Sequence, residues 1–180
     1  MKTITYFLLV IILCSSCKNY PFNKKPFIQQ PKKIEKAFNQ LETVTTLNNN
    51  LVKIIFDYES VNFISANQSI HFFVVDSTQQ INNYTYCNKM IIGPNKVSFS
   101  LKGGTIKDIL FDKKRINFNQ LAAIAKSIRK QYNIYQVVID KTDDSDITTW
   151  LTFSFYVGQN KIEKKMLYSE HGKLIKTINQ

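Results

Sequence analysis

The sequence predicts an α+β fold in which two helices pack on an antiparallel β-sheet. Two stretches repeat apolar residues every three or four positions, which indicates one buried face on each of two helices. Runs rich in β-branched and aromatic residues, separated by turn residues, are typical of strands. The C-terminal half is therefore expected to contain the second helix followed by a four-stranded meander.

The first helix is predicted near the start of the folded domain. Its apolar face follows spacings of four, three, three and three, in Ile34, Phe38, Leu41, Val44 and Leu47. Pro31 suits the first turn, where a missing N–H costs nothing, and Asn48-Asn49-Asn50 end the helix. Strands are then expected over residues 51–56, 61–64 and 69–75. The last has apolar residues on both faces, as in a central strand.

Residues 76–94 are interpreted as a long connection, because residues 79–89 are mostly polar and Gly93-Pro94 punctuates their end. Long connections are often functional, so the embedded Tyr84 and Tyr86 are candidate binding residues. Beyond it, Lys96–Lys102 alternates like a half-buried strand. Residues 105–111 are expected to return from it after Gly103-Gly104 as the second strand of a hairpin.

The second helix has the clearest start. Asn117 is a good N-cap, Gln120 follows three residues later as in a capping box, and Ile116 and Leu121 are spaced for a hydrophobic staple. Four strands are then expected, over residues 134–140, 147–157, 161–168 and 174–178.

The strand over residues 147–157 alternates cleanly between apolar and mixed side chains. Trp150 and Tyr156 lie on its mixed face and are candidate binding residues, because exposed aromatic side chains anchor interfaces. The alternative is that another layer of the protein buries them.

One tetrapeptide occurs twice, as Phe38-Asn39-Gln40-Leu41 and as Phe118-Asn119-Gln120-Leu121, each in a predicted helix that precedes a β-rich run. This repetition suggests a duplicated α-β-β-β unit. The domain is interpreted as residues 32–180, with two subunits, 32–111 and 112–180, as the alternative. In element order, and in the segment Tyr168–Leu174 that ends its sheet, the second unit resembles envelope domains of the PepSY kind, which place one helix on a short meander.

The N-terminus has the organisation of a secretory signal peptide. Lys2 supplies a positive start, residues 4–13 are apolar and uncharged, and Ser15 and Ser16 precede Cys17. The apolar run is shorter than the roughly 20 residues that span a bilayer. The pattern resembles a bacterial lipoprotein precursor, although Cys14 stands where an aliphatic or small residue is usual. The resemblance implies that residues 1–16 are removed and that Cys17 is acylated, with palmitate for example.

Acylation of Cys17 would anchor the protein to lipid at the cell membrane or outer membrane, facing the periplasm or the cell surface. The alternative is an ordinary signal peptide without a lipid, in which case a disulfide between Cys17 and Cys87 becomes feasible. Residues 17–31 read as a flexible basic tether, because three prolines interrupt a run rich in Lys, Asn and Gln.

The chain carries a net charge of +11, or +10 without Lys2. Such a balance favours anionic partners, but export and the scattered lysines argue against nucleic acid. The lysines of the tether and the first helix would be attracted to anionic lipid head groups, or would act only as a solvated linker.

Recognisable catalytic chemistry is scarce. The two histidines, His71 and His171, lack spaced metal-binding partners, and the acidic run Asp143–Asp146 lacks the glycine and closing glutamate of a calcium loop. We therefore expect no catalytic residues, no cofactor and no metal.

The leading hypothesis is a non-catalytic, lipid-anchored envelope module that binds an envelope protein or a cell-wall component. The alternatives are an inhibitor or immunity-type lipoprotein that neutralises an envelope toxin or enzyme, and a small envelope hydrolase without a recognisable motif.

Overall fold

The computed structural model describes residues 26–47, 50–61, 65–98, 104–129, 133–144, 147–157 and 162–179. Within them, eight strands form one antiparallel sheet: β1 Leu51–Val61, β2 Ser65–Val75, β3 Ile81–Cys87, β4 Met90–Lys96, β5 Asn133–Asp144, β6 Ile147–Val157, β7 Ile162–Tyr168 and β8 Leu174–Asn179. The strand order is β4-β3-β2-β1-β5-β6-β7-β8. The order is symmetric about the central β1–β5 pair, because each half of the chain adds its strands outward in sequence.

In the described part of the chain, three helices accompany the sheet: α1 Pro31–Glu42, α2 Ile106–Ile109 and α3 Phe118–Arg129. Short 3-10 turns lie at Phe27–Gln29 and at Lys113–Arg115. Pro31 occupies the first turn of α1, as predicted. However, α1 ends at Glu42, where the Thr43 hydroxyl donates to the Gln40 carbonyl at 2.7 Å. Val44, expected on the buried face, is consequently 55% exposed.

The predicted architecture of two helices on a sheet with a four-stranded C-terminal meander is wrong as a description of the whole. The described residues form a single eight-stranded sheet with three helices, and β1 pairs with β5 across the boundary between the two halves. The expected α-β-β-β unit is also too short, since in the described residues α1 and α3 are each followed by four strands. The sheet is extended by pairing between strands that are distant in sequence. The periodicity of a single segment does not reveal which strand it pairs with.

The long connection predicted for residues 76–94 is also wrong. It contains β3, a two-residue turn at Asn88-Lys89 and β4, which is an edge strand. The strand expected to return through residues 105–111 is instead α2, which the Thr105 and Asp108 side chains cap reciprocally. Residues 99–103, where the preceding strand was expected to end, lie outside the described residues.

Helices α1 and α3 pack on the same face of the sheet and bury the main core. The Phe38 ring of α1 lies 4.9 Å from the Phe72 ring of β2 and 5.5 Å from the Phe118 ring of α3. Phe72 is fully buried, as are Phe56 of β1 and Phe153 of β6. The Phe38–Phe72 pair is edge-on, a geometry that adds a specific contact to the burial of apolar area. We call this side of the sheet the helix face.

The opposite side, which we call the open face, is covered by α2 at one end only among the described residues. There Val52, Val75 and Ile81 form a second, smaller cluster with Ile106 and Ile109. Elsewhere the alternation of side chains along paired strands places a further group on this face: Ile55, Asp57, Ser69, His71, Phe73, Asn83, Thr85, Gln136, Val138, Thr152 and Leu167. These side chains are half-buried by one another.

The N-terminal 3-10 turn joins the domain on the helix face. Ile28 is fully buried, and its backbone N–H donates to the Tyr58 hydroxyl at 3.0 Å. The N–H of Phe27 donates to Gln68 Oε1 at 2.8 Å, and its ring contacts Tyr86 edge-on at 5.9 Å. The described part of the chain contains no helix of the length and apolarity required to cross a membrane.

Candidate functional site

A polar cluster lies at the centre of the open face, around His71. The Thr85 hydroxyl on β3 lies 3.0 Å from His71 Nδ1, and the Ser69 hydroxyl lies 3.0 Å from His71 Nε2. Both contacts follow from the sheet, because Thr85 is directly opposite His71 in the β2–β3 pair and Ser69 is two residues away on the same strand face. Both ring nitrogens therefore have a hydroxyl partner.

The cluster continues across β1 to β5. Asp57 Oδ2 lies 3.4 Å from His71 Nε2, and Asp57 Oδ1 accepts a hydrogen bond from Gln136 Nε2 at 2.8 Å. Asp57 and Gln136 are directly paired in the sheet register. Four adjacent strands thus contribute to one hydrogen-bonded band, which fixes the orientation of each polar group.

This arrangement differs from a Ser-His-Asp catalytic triad. In a triad the hydroxyl and the carboxylate contact opposite ring nitrogens, whereas Ser69 and Asp57 share Nε2 of His71. Thr85, on Nδ1, does have the alignment of a triad hydroxyl. The cluster presents oriented hydroxyl, imidazole, carboxylate and amide groups that can hydrogen-bond a ligand.

Tyr84 and Tyr86, predicted as binding residues in a long connection, are not on the surface. Both belong to β3 and point to the helix face, where they are only 6% and 3% exposed. Burial also raises the pKa of Tyr86. The correction follows from the strand assignment, since side chains at positions 84 and 86 face the core once β3 pairs with β2.

The remaining predicted site residues fall largely outside the described part. Cys17 precedes the first described residue, and Trp150 and Tyr156 belong to β6 with side chains that are not described. His171 is exposed in the turn between β7 and β8, and its carbonyl accepts from Gln120 Nε2 at 2.7 Å. Cys87 is half-buried and forms no disulfide within the described residues.

A groove of about 610 Å³ lies on the helix side, between α1 and the 3-10 turn Lys113–Arg115. Its walls include Phe38 and Phe118, together with the basic side chains of the turn. Arg115 forms a paired contact with Glu170, with Nε to Oε1 at 2.8 Å. The guanidinium holds the pKa of Glu170 below its usual value.

Among the described residues, no three His, Cys, Asp or Glu side chains are grouped so that they could hold a metal ion. The polar cluster was missed by sequence reasoning, which considered His71 only as a histidine without a spaced metal-binding partner. Polar residues alternating along successive strands, such as Ser69 and His71 with Asn83 and Thr85, could have indicated it. That indication requires the strand pairing to be known.

Comparison of the chain with protein-family models, with curated proteins and with solved structures found no match.

Proposed function

We propose that this chain is a non-catalytic binding module of the bacterial cell envelope, anchored to lipid through Cys17, which binds a partner protein with its open face. The observation that carries the proposal is the open face itself. Four central strands present half-buried apolar and polar side chains there, and among the described helices only the short α2 covers part of it.

The composition of the open face supports binding. Ile55, Phe73, Val138 and Leu167 supply apolar area next to the polar band around His71. A face of an antiparallel sheet that contacts only water is usually polar. A mixture of apolar contacts and oriented hydrogen-bonding groups is typical of protein interfaces.

The anchor is supported by the sequence alone. The lipoprotein pattern ends at Cys17, and eight residues separate that cysteine from Pro26, the first described residue. A module held by so short a connection would act close to the membrane surface. This location favours an envelope partner over a freely diffusing one.

A pull-down from solubilised membranes tests the proposal. The acylated chain should retain a stoichiometric partner, and Thr152→Arg should release it, because the long cationic side chain projects from the middle of the open face between Val138 and Leu167. The matched control is Ala123→Arg, which adds the same charge to the exposed surface of α3 and should leave binding intact. Equal recovery of the partner by both variants would exclude the open face as its binding site.

The hydrolase alternative has one observation in its favour, the alignment of Thr85, His71 and Asp57. It predicts that envelope substrates are turned over by the purified chain and that Thr85→Ala abolishes the turnover. Retention of a partner without any turnover supports the binding module instead. The Cys17→Ser form should lose its salt-resistant attachment to the membrane while keeping affinity for the partner in detergent solution.

A further inference from the structure

The outward surface of α1 is basic. Ile34, Ala37, Phe38 and Leu41 bury the inner side of this helix. Lys32 and Lys36, four residues apart, project from the opposite side, with Lys33 next to them, and all three are exposed. The ammonium of Lys33 also lies 5.9 Å from the centre of the Phe27 ring.

Helix α3 and the 3-10 turn before it, which lie on the same side of the sheet as α1, extend this basic surface. Lys126 and Arg129 are exposed on α3, which contains no acidic residue, and Lys114 is exposed on the 3-10 turn before it. Of the two acidic residues of α1, Glu42 is ion-paired with Lys113, which leaves Glu35 as the counter-charge close to the three lysines. We define the basic face as Lys32, Lys33, Lys36, Lys114, Lys126 and Arg129.

The chain enters the domain on this same side. Phe27 and Ile28 dock against Tyr58 and Tyr86 on the helix face. Fully extended, the nine residue steps from Cys17 to Pro26 reach at most about 30 Å. An anchor at Cys17 therefore holds the helix face of the domain, and the lysines that lie on this side, within a short distance of the lipid.

From this charge and this point of entry we infer that the basic face lies against the anionic head groups of the membrane. The inference rests on the proposed anchoring at Cys17, and it specifies how the anchored domain is oriented relative to the membrane. The phosphates of the bilayer contact the outward surfaces of α1 and α3, and the open face is directed away from the lipid, towards the partner. Each lysine near an anionic surface raises membrane partitioning about fivefold at moderate ionic strength.

Vesicle binding by the Cys17→Ser chain, which cannot be acylated at position 17, tests the inference without the anchor or the partner. The chain should bind vesicles containing anionic phosphatidylglycerol, bind weakly to pure phosphatidylcholine, and dissociate at high salt. Lys32→Gln with Lys36→Gln should lower the partition coefficient on anionic vesicles by about 25-fold. The matched control is Lys165→Gln with Lys176→Gln, which makes the same charge change on the open-face side of β7 and β8 and should change partitioning by less than about twofold.

Equal losses in the two double variants would show that only the net charge matters and would overturn the orientation. Equal binding to anionic and neutral vesicles would overturn the role of the lysines. Neither result depends on acylation or on the partner, so failure here is distinct from failure of the proposed function. Conversely, loss of the partner in the Thr152→Arg pull-down leaves the vesicle measurement unaffected.

Discussion

Lys53 Nζ lies 3.0 Å from Asp140 Oδ2 across the central β1–β5 pair. Four residues further along β1, a second side-chain contact links the same two strands, since Gln136 of β5 donates to Asp57 of β1 at 2.8 Å. The register pairs Lys53 with Asp140 and Asp57 with Gln136, so the two contacts are symmetrically placed about the middle of the pair. Side-chain contacts on the open face therefore reinforce the one strand pair that joins the two halves of the sheet.

The Lys53–Asp140 pair is expected to contribute measurably to stability. Asp140 is 8% exposed, so its carboxylate is partly shielded from water, and its ion pair should be worth about 1 kcal/mol. A double-mutant cycle with Lys53→Gln and Asp140→Asn, measured by urea unfolding, should give a coupling energy of that size. Raising the salt concentration should reduce it only slightly. Purely additive effects of the two substitutions would contradict this account of the central strand pair.

Asp76 is expected to make the folded protein less stable at acidic pH. The Thr78 hydroxyl, the N–H of Gln80 and the amide of Asn82 donate to its carboxylate and lower its pKa from 3.8 to about 2. Because the folded protein favours the ionised Asp76 carboxylate, this group stabilises the folded state fully at pH values above its pKa in the unfolded chain. The stabilisation is lost as the pH falls through the pKa of Asp76 in the folded protein. Unfolding midpoints measured from pH 5 to pH 2 should therefore decline on acidification, roughly below pH 4.

The Asp76→Asn variant checks the assignment of this acid dependence. It should be less stable than the parent at neutral pH and should show a shallower decline between about pH 4 and pH 2, since the titrating group is gone. An unchanged decline in the variant would assign the acid sensitivity to other carboxylates. One such carboxylate is Asp108, whose pKa the backbone N–H of Thr105 lowers.

The features that the sequence predicted correctly depend on contacts between residues close together in the chain. Asn117 was identified as an N-cap, and its Oδ1 accepts from the N–H of Gln120 at 3.0 Å, which confirms that prediction. The side chain of Gln120 makes a second, long-range contact, because its amide donates to the carbonyl of His171, 51 residues away. The sequence neighbours determine the first contact, whereas only the folded sheet determines the second.

The missed β3–β4 hairpin illustrates the opposite case. Its turn places Asn88 and Lys89 at φ 49° and 66°, and a lysine is not a residue that propensity selects for this region. Asn82 also suggests a loop, yet it is 6% exposed because Asp76 accepts from its amide. The His71 cluster was hidden for the same reason, since its members come from strands whose pairing no local pattern reveals.

Tyr58 is expected to attach the N-terminal segment to the sheet. Its hydroxyl accepts from the N–H of Ile28, and burial raises its pKa, so the phenol stays neutral in the folded protein. Tyr58→Phe should lower the free energy of unfolding by about 1 kcal/mol, because it leaves that buried N–H without its acceptor. Hydrogen exchange at the Ile28 amide should accelerate selectively.

Tyr168→Phe is the matched control for this experiment, since among the described residues its hydroxyl makes one weak contact, to the Met166 sulfur at 3.5 Å. It should leave exchange at Ile28 unchanged. Equal protection of Ile28 in the parent and in Tyr58→Phe would show that packing alone holds the segment.

Gly172 is expected to tolerate substitution less well than Gly104, although both have a left-handed backbone, with φ of 71° and 75°. A Cβ at position 172 would lie 2.2 Å from Gln120 Nε2, which must then move away from the His171 carbonyl. At position 104 the nearest atom is Asp108 Oδ2, at 3.0 Å. Each alanine variant pays the left-handed strain of about 1 kcal/mol, and Gly172→Ala should lose about 1 kcal/mol more for the displaced hydrogen bond. Thermal or urea unfolding of the two variants measures the difference, and equal destabilisation would show that Gln120 contributes nothing to holding α3 against the β7–β8 turn.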